Sequence, residues 1–247
     1  MSPKTMNKVF AVLAIALIGT TSLSAQDDAS VRFGIKLSPN MGFVKSETKA
    51  LKANGSGLGY TFGLLAEFPI GANGNYRFAT GLNLNNITGK WKEDYTYVDE
   101  VAGPMKTKAL ETDVKLQYVE LPLTIKLMTN EIGYMRYYGQ VGFGNAFNIR
   151  AKADMVAPKV AGSLTDGTPI VTEFTENKGE DIQSDIALYK ASLIVGAGME
   201  YNFSGSTSLL VGVTYNNGFT NILNFDVAGS KAKAKAHYFE LTVGVFF

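Results

Sequence analysis

Cysteine is absent from this 247-residue chain, and histidine and tryptophan occur once each. Without cysteine the chain can form neither a disulfide framework nor a lipid anchor at a cleavage site. The histidine and cysteine spacing of metal sites is missing, and so are the glycine patterns that cradle phosphates. A general base near neutral pH is most often histidine, and His237 stands alone among lysines. We therefore predict that the protein is not an enzyme and has no catalytic residue, metal or cofactor.

The chain also lacks a strong net charge and a long apolar segment. Lysine and arginine number 23 against 22 acidic residues, which gives no reason to expect nucleic acid as a partner. No segment after the first 25 residues is long and apolar enough for a membrane helix, which needs roughly 20 apolar residues. Membrane residence would therefore require a closed β-barrel, in which neighbouring strands satisfy every backbone polar group.

The first 25 residues have the pattern of a secretory signal peptide. Lys4 and Lys8 form a basic region, residues 9–19 are almost wholly apolar, and Ala25 is a small residue at the expected cut. The apolar run of about 11 residues is too short to span a membrane as a helix. We predict cleavage after Ala25 and a mature barrel domain of residues 26–247, with Met6 as an alternative start.

Eight later segments alternate apolar and polar residues with the period of a β-strand. One apolar face in each would suit lipid. The clearest segments are residues 118–127, 189–201 and 238–247, and looser examples are residues 33–37, 60–68, 78–84, 141–149 and 209–215.

The connections between these segments alternate between short and long. Residues 71–74, 129–133 and 204–206 are compact turns, whereas residues 45–57, 91–108, 151–185 and 221–236 are longer and polar. Outer-membrane barrels have tight periplasmic turns and long extracellular loops. We therefore predict an all-β, eight-stranded antiparallel transmembrane barrel in the outer membrane of a Gram-negative cell.

The longest connection has a hairpin pattern of its own. Residues 160–164 and 170–174 flank Asp166-Gly167, a pair typical of type I′ turns. We expect a hairpin that projects outward, with a ten-stranded barrel as the alternative.

Three aromatic residues mark the second long connection: Trp91, Tyr95 and Tyr97. We expect an extended strand rim there. Sugar binding by exposed aromatic rings is the alternative.

Several segments resemble those of a known family. They are Phe33-Gly34-Ile35-Lys36, the Tyr-Val-Glu-Leu-Pro-Leu run at 118–123, the glycine-containing strand at 138–142, and the terminal Phe247. In these segments the chain resembles the small outer-membrane β-barrel domain proteins of Bacteroidetes, the PorT-like group. The resemblance covers essentially the whole mature chain and implies a barrel. PorT itself is associated with protein secretion, so the resemblance also implies a structural or binding role in an envelope or secretion-associated assembly.

Charged residues of both signs occur on the strand face opposite the apolar one. An eight-stranded barrel is just wide enough inside for side chains to fill it, and an unpaired charge there would be costly. We predict a lumen charge network that plugs the barrel and in which Glu120 pairs with a basic neighbour such as Lys126 or Arg136. A small diffusion pore is the alternative. The network consists of Arg32, Lys36, Glu67, Arg77, Glu120, Lys126, Arg136, Lys190, Glu200 and Glu240.

A basic stripe precedes the last strand: Lys231, Lys233, Lys235 and His237 recur at every second residue. On the outward face above the lipid band, these side chains would contact the anionic headgroups of lipopolysaccharide. A solvated loop is the alternative. Phe247 resembles the terminal aromatic residue that outer-membrane assembly machinery reads, and we predict that it is an assembly signal.

Overall fold

The computed structural model of the chain describes residues 30–49, 51–71, 74–99, 103–227 and 230–247. The predicted signal peptide, residues 1–25, lies outside them. None of the described residues belongs to a helix that is long and apolar enough to cross a membrane. The strands of this part are β1 Arg32–Ser46, β2 Leu51–Pro69, β3 Tyr76–Asp99, β4 Met105–Met128, β5 Met135–Ser163, β6 Pro169–Asp181, β7 Tyr189–Ser204, β8 Thr207–Gly218, β9 Asp226–Val227, β10 Ser230–Lys231 and β11 Ala234–Phe246. A 3₁₀ turn, Gln183–Asp185, precedes β7.

Eight of these strands close into an antiparallel ring. Neighbours follow the order β2-β1-β11-β8-β7-β5-β4-β3, and pairing between β2 and β3 completes the ring. The first and last strands pair with each other, and the Phe247 amide donates to the Phe33 carbonyl with an N···O distance of 2.9 Å. The predicted eight-stranded barrel is therefore confirmed, and the ten-stranded alternative is wrong.

Alternation along the strands gives the barrel an apolar outer face. Side chains that point outward are exposed and apolar on every barrel strand, as lipid requires, because lipid offers no hydrogen bonds. Examples are Ile35, Leu64, Leu82, Leu123, Val141, Val195, Val213 and Leu241. Exposed aromatic rings mark both edges of this band, as in the aromatic girdles of membrane barrels. They include Phe68, Tyr76, Phe203 and Phe247 at one edge and Tyr60, Phe147, Tyr189 and Phe219 at the other.

Close packing of backbone and side chain makes the lumen narrow. Tyr138 reaches across it to the backbone of β8, where an added Cβ at Gly212 would lie 2.2 Å from the Tyr138 hydroxyl oxygen. Glycine leaves room for the hydroxyl in this position, and a larger residue would displace it. The inner wall therefore has no room for side chains at some positions, and large side chains fill the remaining space.

The strands continue well past the extracellular edge of the lipid band. The long connections predicted at residues 45–57 and 91–108 are mostly strand, because β2 begins at Leu51 and β3 runs to Asp99. Exposed cross-strand ion pairs join neighbouring strands of these extensions: Lys52 to Asp94 at 2.5 Å, Lys115 to Asp154 at 2.5 Å, and Lys106 to Asp99. These residues were expected to form loops because they are mostly polar. A strand that extends beyond lipid has water on its outer face, so apolar residues no longer alternate with polar ones along it.

β5 and β6 form the hairpin that was predicted within the longest connection. Its turn differs from the predicted type I′, because the Gly167 amide donates to the Leu164 carbonyl at 2.9 Å. Thr165 and Asp166 are thus the central residues, and Gly167 follows them with φ of 85°. This is the pattern of a three-residue hairpin loop with glycine in the left-handed region.

The β5–β6 hairpin leans on the extension of β3 and β4. Val98 and Ile170 are partners in a short parallel pairing of β3 with β6. The Tyr97 and Phe174 rings meet edge to face with centroids 5.0 Å apart, and the Lys108 ammonium lies 3.9 Å from the Phe174 centroid. The two hairpins therefore support each other outside the membrane. We call their described residues, 91–99, 103–112 and 152–181, the extracellular platform.

Candidate functional site

Five charged side chains meet in the periplasmic half of the lumen. The Lys126 ammonium donates to Glu67 Oε1 at 2.6 Å and also to Glu200. Arg32 donates to the same two carboxylates, at 2.5 and 2.7 Å. Arg77 completes the group, with its Nε 4.0 Å from Glu67 Oε2. We call these five residues the periplasmic charge cluster.

The periplasmic charge cluster connects five strands. Its members come from β1, β2, β3, β4 and β7, so the ion pairs tie neighbouring strands to the far side of the ring. Aromatic rings line the cations: Arg32 lies 4.6 Å from the Phe246 centroid and Lys126 lies 4.3 Å from that of Tyr138. Lys126, Glu67 and Glu200 are all buried, so each charge depends on its partners for the interactions that water would otherwise provide.

A second polar layer lies nearer the middle of the lumen. Lys36 donates to Glu240 at 2.6 Å. Glu120 accepts hydrogen bonds from Asn83 at 3.4 Å, Asn216 at 3.2 Å and the Tyr238 hydroxyl at 3.4 Å. This layer is also buried, and Glu120 is bonded both to its cross-strand neighbour Asn83 and to side chains of β8 and β11.

The expected pairing of Glu120 with Lys126 or Arg136 is wrong. Glu120 and Lys126 are six positions apart on β4, a span of about 20 Å along a strand. Arg136 lies at the periplasmic rim, where it pairs with Glu131 at 3.5 Å. The basic group near Glu120 is Lys190, whose ammonium donates to Asn216 Oδ1 at 3.3 Å while the Asn216 amide donates to Glu120. Asn216 thus links this buried lysine and carboxylate.

Lys190 is fully buried and lies between two aromatic rings. Its ammonium is 5.4 Å from the Tyr118 centroid and 5.1 Å from that of Tyr238. The negative faces of these rings stabilise a cation that has no direct carboxylate partner among the described residues.

Between the two polar layers lies a cavity of about 60 Å³. Glu67, Lys126, Glu120 and Glu240 are among its lining residues. This volume accommodates a few water molecules and no organic solute.

An apolar cap closes the extracellular half of the lumen. Ile182, Ile186, Ile222 and Leu223 from two loops pack on inward side chains of the barrel wall, including Val44, Ile87, Leu116 and Trp91. The loops bond to each other and to β11: the Ala187 amide donates to the Ile222 carbonyl at 2.8 Å, and the Ile222 amide to the Ala234 carbonyl at 2.9 Å. We call this group the extracellular cap.

Sequence reasoning did not find the extracellular cap. Its apolar residues come from segments that were classed as loops. One sequence pattern could have indicated part of the cap, namely the alternation of alanine with lysine before the last strand. Ala232, Ala234 and Ala236 are buried, and the lysines between them are not.

The three aromatic residues of the second connection do not form an exposed set, because Trp91 and Tyr97 are buried and Tyr95 is half-buried. Trp91 is 8% exposed and belongs to the extracellular cap, and Tyr97 is buried beneath the β5–β6 hairpin. The described residues contain no group of three or more histidine or acidic residues that could hold a metal ion.

The basic stripe is only partly as predicted. Lys231 and Lys233 are exposed, and Lys235 pairs with Glu47 at 2.6 Å. The hydrogen bond from Lys235, together with the charges of Lys235, Lys233 and Lys45, lowers the pKa of Glu47 below its ordinary value.

His237 is not part of an exposed basic rim. It does point outward, yet it is 5% exposed, and its ring stacks on Phe43 with centroids 5.3 Å apart and on Tyr215 at 6.4 Å. Neither ring nitrogen has a hydrogen-bond partner in the described part of the chain. His237 therefore belongs to an aromatic cluster at the membrane edge, and headgroups cannot reach it.

The sequence of residues 24–178 matches the family model of the outer membrane protein beta-barrel domain. More than half of the chain is matched, so the protein belongs to this family. Together with the closed barrel and its apolar outer band, this membership places the protein in the outer membrane of a Gram-negative cell. No curated protein matches the sequence.

The chain is similar to several solved outer-membrane proteins at low sequence identity. Neisserial surface protein A is 16% identical, with 88% of this chain and 97% of that chain covered and a TM-score of 0.44. OprG from Pseudomonas aeruginosa is 13% identical, with 91% and 99% covered and a TM-score of 0.45. Ail from Yersinia pestis is 16% identical, with 88% and 97% covered and a TM-score of 0.36.

Replacing Lys126 with methionine should destabilise the barrel strongly. The change keeps the side-chain length but removes the cation that Glu67 and Glu200 share. Breaking a buried ion pair in this way costs about 3–5 kcal/mol. Urea unfolding of the refolded protein in detergent measures the free energy of unfolding.

Lys115→Met is the matched control, because the Lys115 side chain is 58% exposed and its pair with Asp154 lies outside the membrane. An exposed pair contributes at most about 1 kcal/mol. If both variants lose the same small amount, the lumen is hydrated and its charges do not hold the strands together.

Proposed function

We propose that this protein is a closed outer-membrane barrel whose extracellular platform binds a partner, as a structural component of an envelope assembly. The observation that supports this proposal is the double closure of the lumen. Charges fill its periplasmic half, and apolar side chains fill its extracellular half. Solute passage would need a continuous and open polar path, and each of these closures interrupts such a path.

Each closure opposes conduction for a different physical reason. In the periplasmic charge cluster three cations face two carboxylates at contact distance, so an ion in transit would have to displace a bonded partner. In the extracellular cap, the side chains of Ile222 and Leu223 are buried and apolar, so a hydrated ion would lose water contacts there that these side chains do not replace. A small diffusion pore would need both regions to open.

The extracellular platform supplies the surface for a partner. Two strand hairpins rise beyond the lipid band and brace each other through Tyr97 and Phe174. Surfaces built on strands hold their shape better than loops, which favours binding over mere solvation. The resemblance to PorT-like barrels supports a secretion-associated assembly as the setting. Export of the mature chain, residues 26–247, would follow removal of the predicted signal peptide.

Reconstitution into a planar bilayer should produce no steady single-channel conductance. Insertion is checked by the heat-dependent shift in gel mobility of a folded barrel, and a general porin treated in the same way is the positive control. Stable, ion-selective openings from correctly folded protein would instead identify a small diffusion pore.

Shortening the β5–β6 hairpin should remove partner binding and leave the barrel intact. Ala157 and Thr175 are cross-strand partners, so residues 158–174 can be replaced by Asn-Gly, which forms a two-residue hairpin turn. Purification from native membranes in mild detergent, followed by native mass measurement, compares the complexes of both forms. A shortened chain that retains the complex of the parent would show that the platform is not the binding surface.

Lipopolysaccharide is the second partner that we propose. Lys231 and Lys233 precede β11 and Lys235 lies within it, on the extracellular side of the aromatic cluster, so their side chains would lie near the outer-leaflet headgroups. Lys45 lies opposite Lys235 in the register of these strands and adds a fourth cation. Phosphate and carboxylate groups are the natural counterions of such a surface.

Changing Lys231, Lys233 and Lys235 to glutamine should lower the amount of lipopolysaccharide that copurifies with the barrel. Each basic residue near an anionic membrane surface contributes on the order of 1 kcal/mol, so a loss of several-fold is expected. High salt should have the same effect through screening. The matched control changes Lys106, Lys159 and Lys178, which lie on the distant platform, to glutamine. If both triple variants copurify with the same amount of lipopolysaccharide, the position of the lysines relative to the membrane does not matter. The stripe would then be a solvated loop.

A further inference from the structure

The extracellular cap contains a pocket of about 150 Å³, more than twice the volume of the lumen cavity. It lies outside the lipid band, between the inner wall of β3, β4 and β5 and the loops that close the barrel. Trp91 and Phe225 provide aromatic walls, and Met155, Ile182 and Ile186 complete the apolar lining. A cavity of this size has room for a single benzene ring.

One ionisable residue, Asp185, is among those that line the pocket. Its backbone is fixed in place: its amide donates to the Ile182 carbonyl at 3.0 Å, and its carbonyl accepts from the Asn224 amide at 2.8 Å. Its carboxylate has no cationic partner among the described residues and accepts only a 3.4 Å hydrogen bond from the neighbouring Ser184. The pocket therefore combines aromatic walls with a carboxylate that is free to pair with a cation.

We propose that this pocket binds a small aromatic amine from the extracellular medium. The ring would lie against Trp91 and Phe225, where aromatic faces and edges stabilise one another. The ammonium would lie at Asp185, the only negative group of the lining. This inference goes beyond the proposed function, because the pocket would exist whether or not the lumen conducts.

Tryptophan fluorescence can measure whether the pocket is occupied. Trp91 is the single tryptophan of the chain, so tryptophan emission of the folded protein comes from the pocket wall alone. The probe is 2-phenylethylamine, and 2-phenylethanol is its neutral counterpart of nearly equal size. Both absorb too weakly at the excitation wavelength of tryptophan to disturb the reading.

Titration of the intact barrel with 2-phenylethylamine should give a saturable change in Trp91 emission. The alcohol should bind about threefold to fivefold more weakly, the range expected of a partly exposed ion pair. In Asp185→Asn the two compounds should bind equally. Equal affinity for the amine and the alcohol in the intact chain would overturn the assignment of an amine.

Ala153→Leu tests the pocket itself, because Ala153 is fully buried in its wall and a larger side chain there fills the space. Lys152→Leu is the matched control, since it adds the same side chain to the adjacent residue on the opposite face of β5. Saturable binding should be lost in the first variant and kept in the second. Should Ala153→Leu fail to give a folded barrel, Thr112→Leu fills the same pocket from β4. A change in emission that is linear in concentration and equal in all variants would overturn the pocket.

Discussion

The shared ion pair of Lys126 with Glu67 and Glu200 is the contact on which the closed barrel depends. A ring of eight strands leaves room for side chains and almost none for water, so every inward charge must be met by another side chain. Lys126 pairs with the carboxylates of Glu67 and Glu200 at once, and Arg32 pairs with the same two carboxylates. Because these residues come from strands on both sides of the ring, satisfying the charges also fixes the shape of the lumen.

The two halves of the lumen are closed by different chemistry because their surroundings differ. The periplasmic half is enclosed by strands that lie within the membrane. Its side chains are therefore held in defined positions, where each charge can pair with a particular partner. The extracellular half rises into water, where loops must be held over an open mouth. Apolar burial suits that task, because it does not depend on direction and is roughly proportional to the area covered. Ile182 and Ile222 therefore close the extracellular half of the lumen from the loops, and Glu67 and Glu200 help to close the periplasmic half from the strands.

The fold could be predicted from the sequence because alternation with period two is a local property, and Leu121, Leu123 and Ile125 show it without knowledge of their neighbours. The partners of the lumen charges could not be predicted in this way. They depend on register between strands that are far apart in sequence, as in the contact of Lys36 with Glu240. His237 shows the same limit: its outward direction followed from alternation, whereas its burial depends on Phe43 and Tyr215 from two other strands.

Strand length separates what the membrane requires from what the function requires. About 9–11 residues are enough for a tilted strand to cross the hydrocarbon region, whereas β5 alone has 29 residues and β3 and β4 have 24 each. The additional strand residues are ordered in water, which costs conformational entropy. Contact with lipid does not offset this cost, because these residues lie outside the membrane. Cross-strand ion pairs such as that of Lys52 with Asp94 contribute little there, because they are exposed. The burial of Trp91 and its neighbours under the loops is the larger compensation, so the extracellular cap, the pocket inside it and the platform above it form one structural unit that membrane anchoring alone would not need.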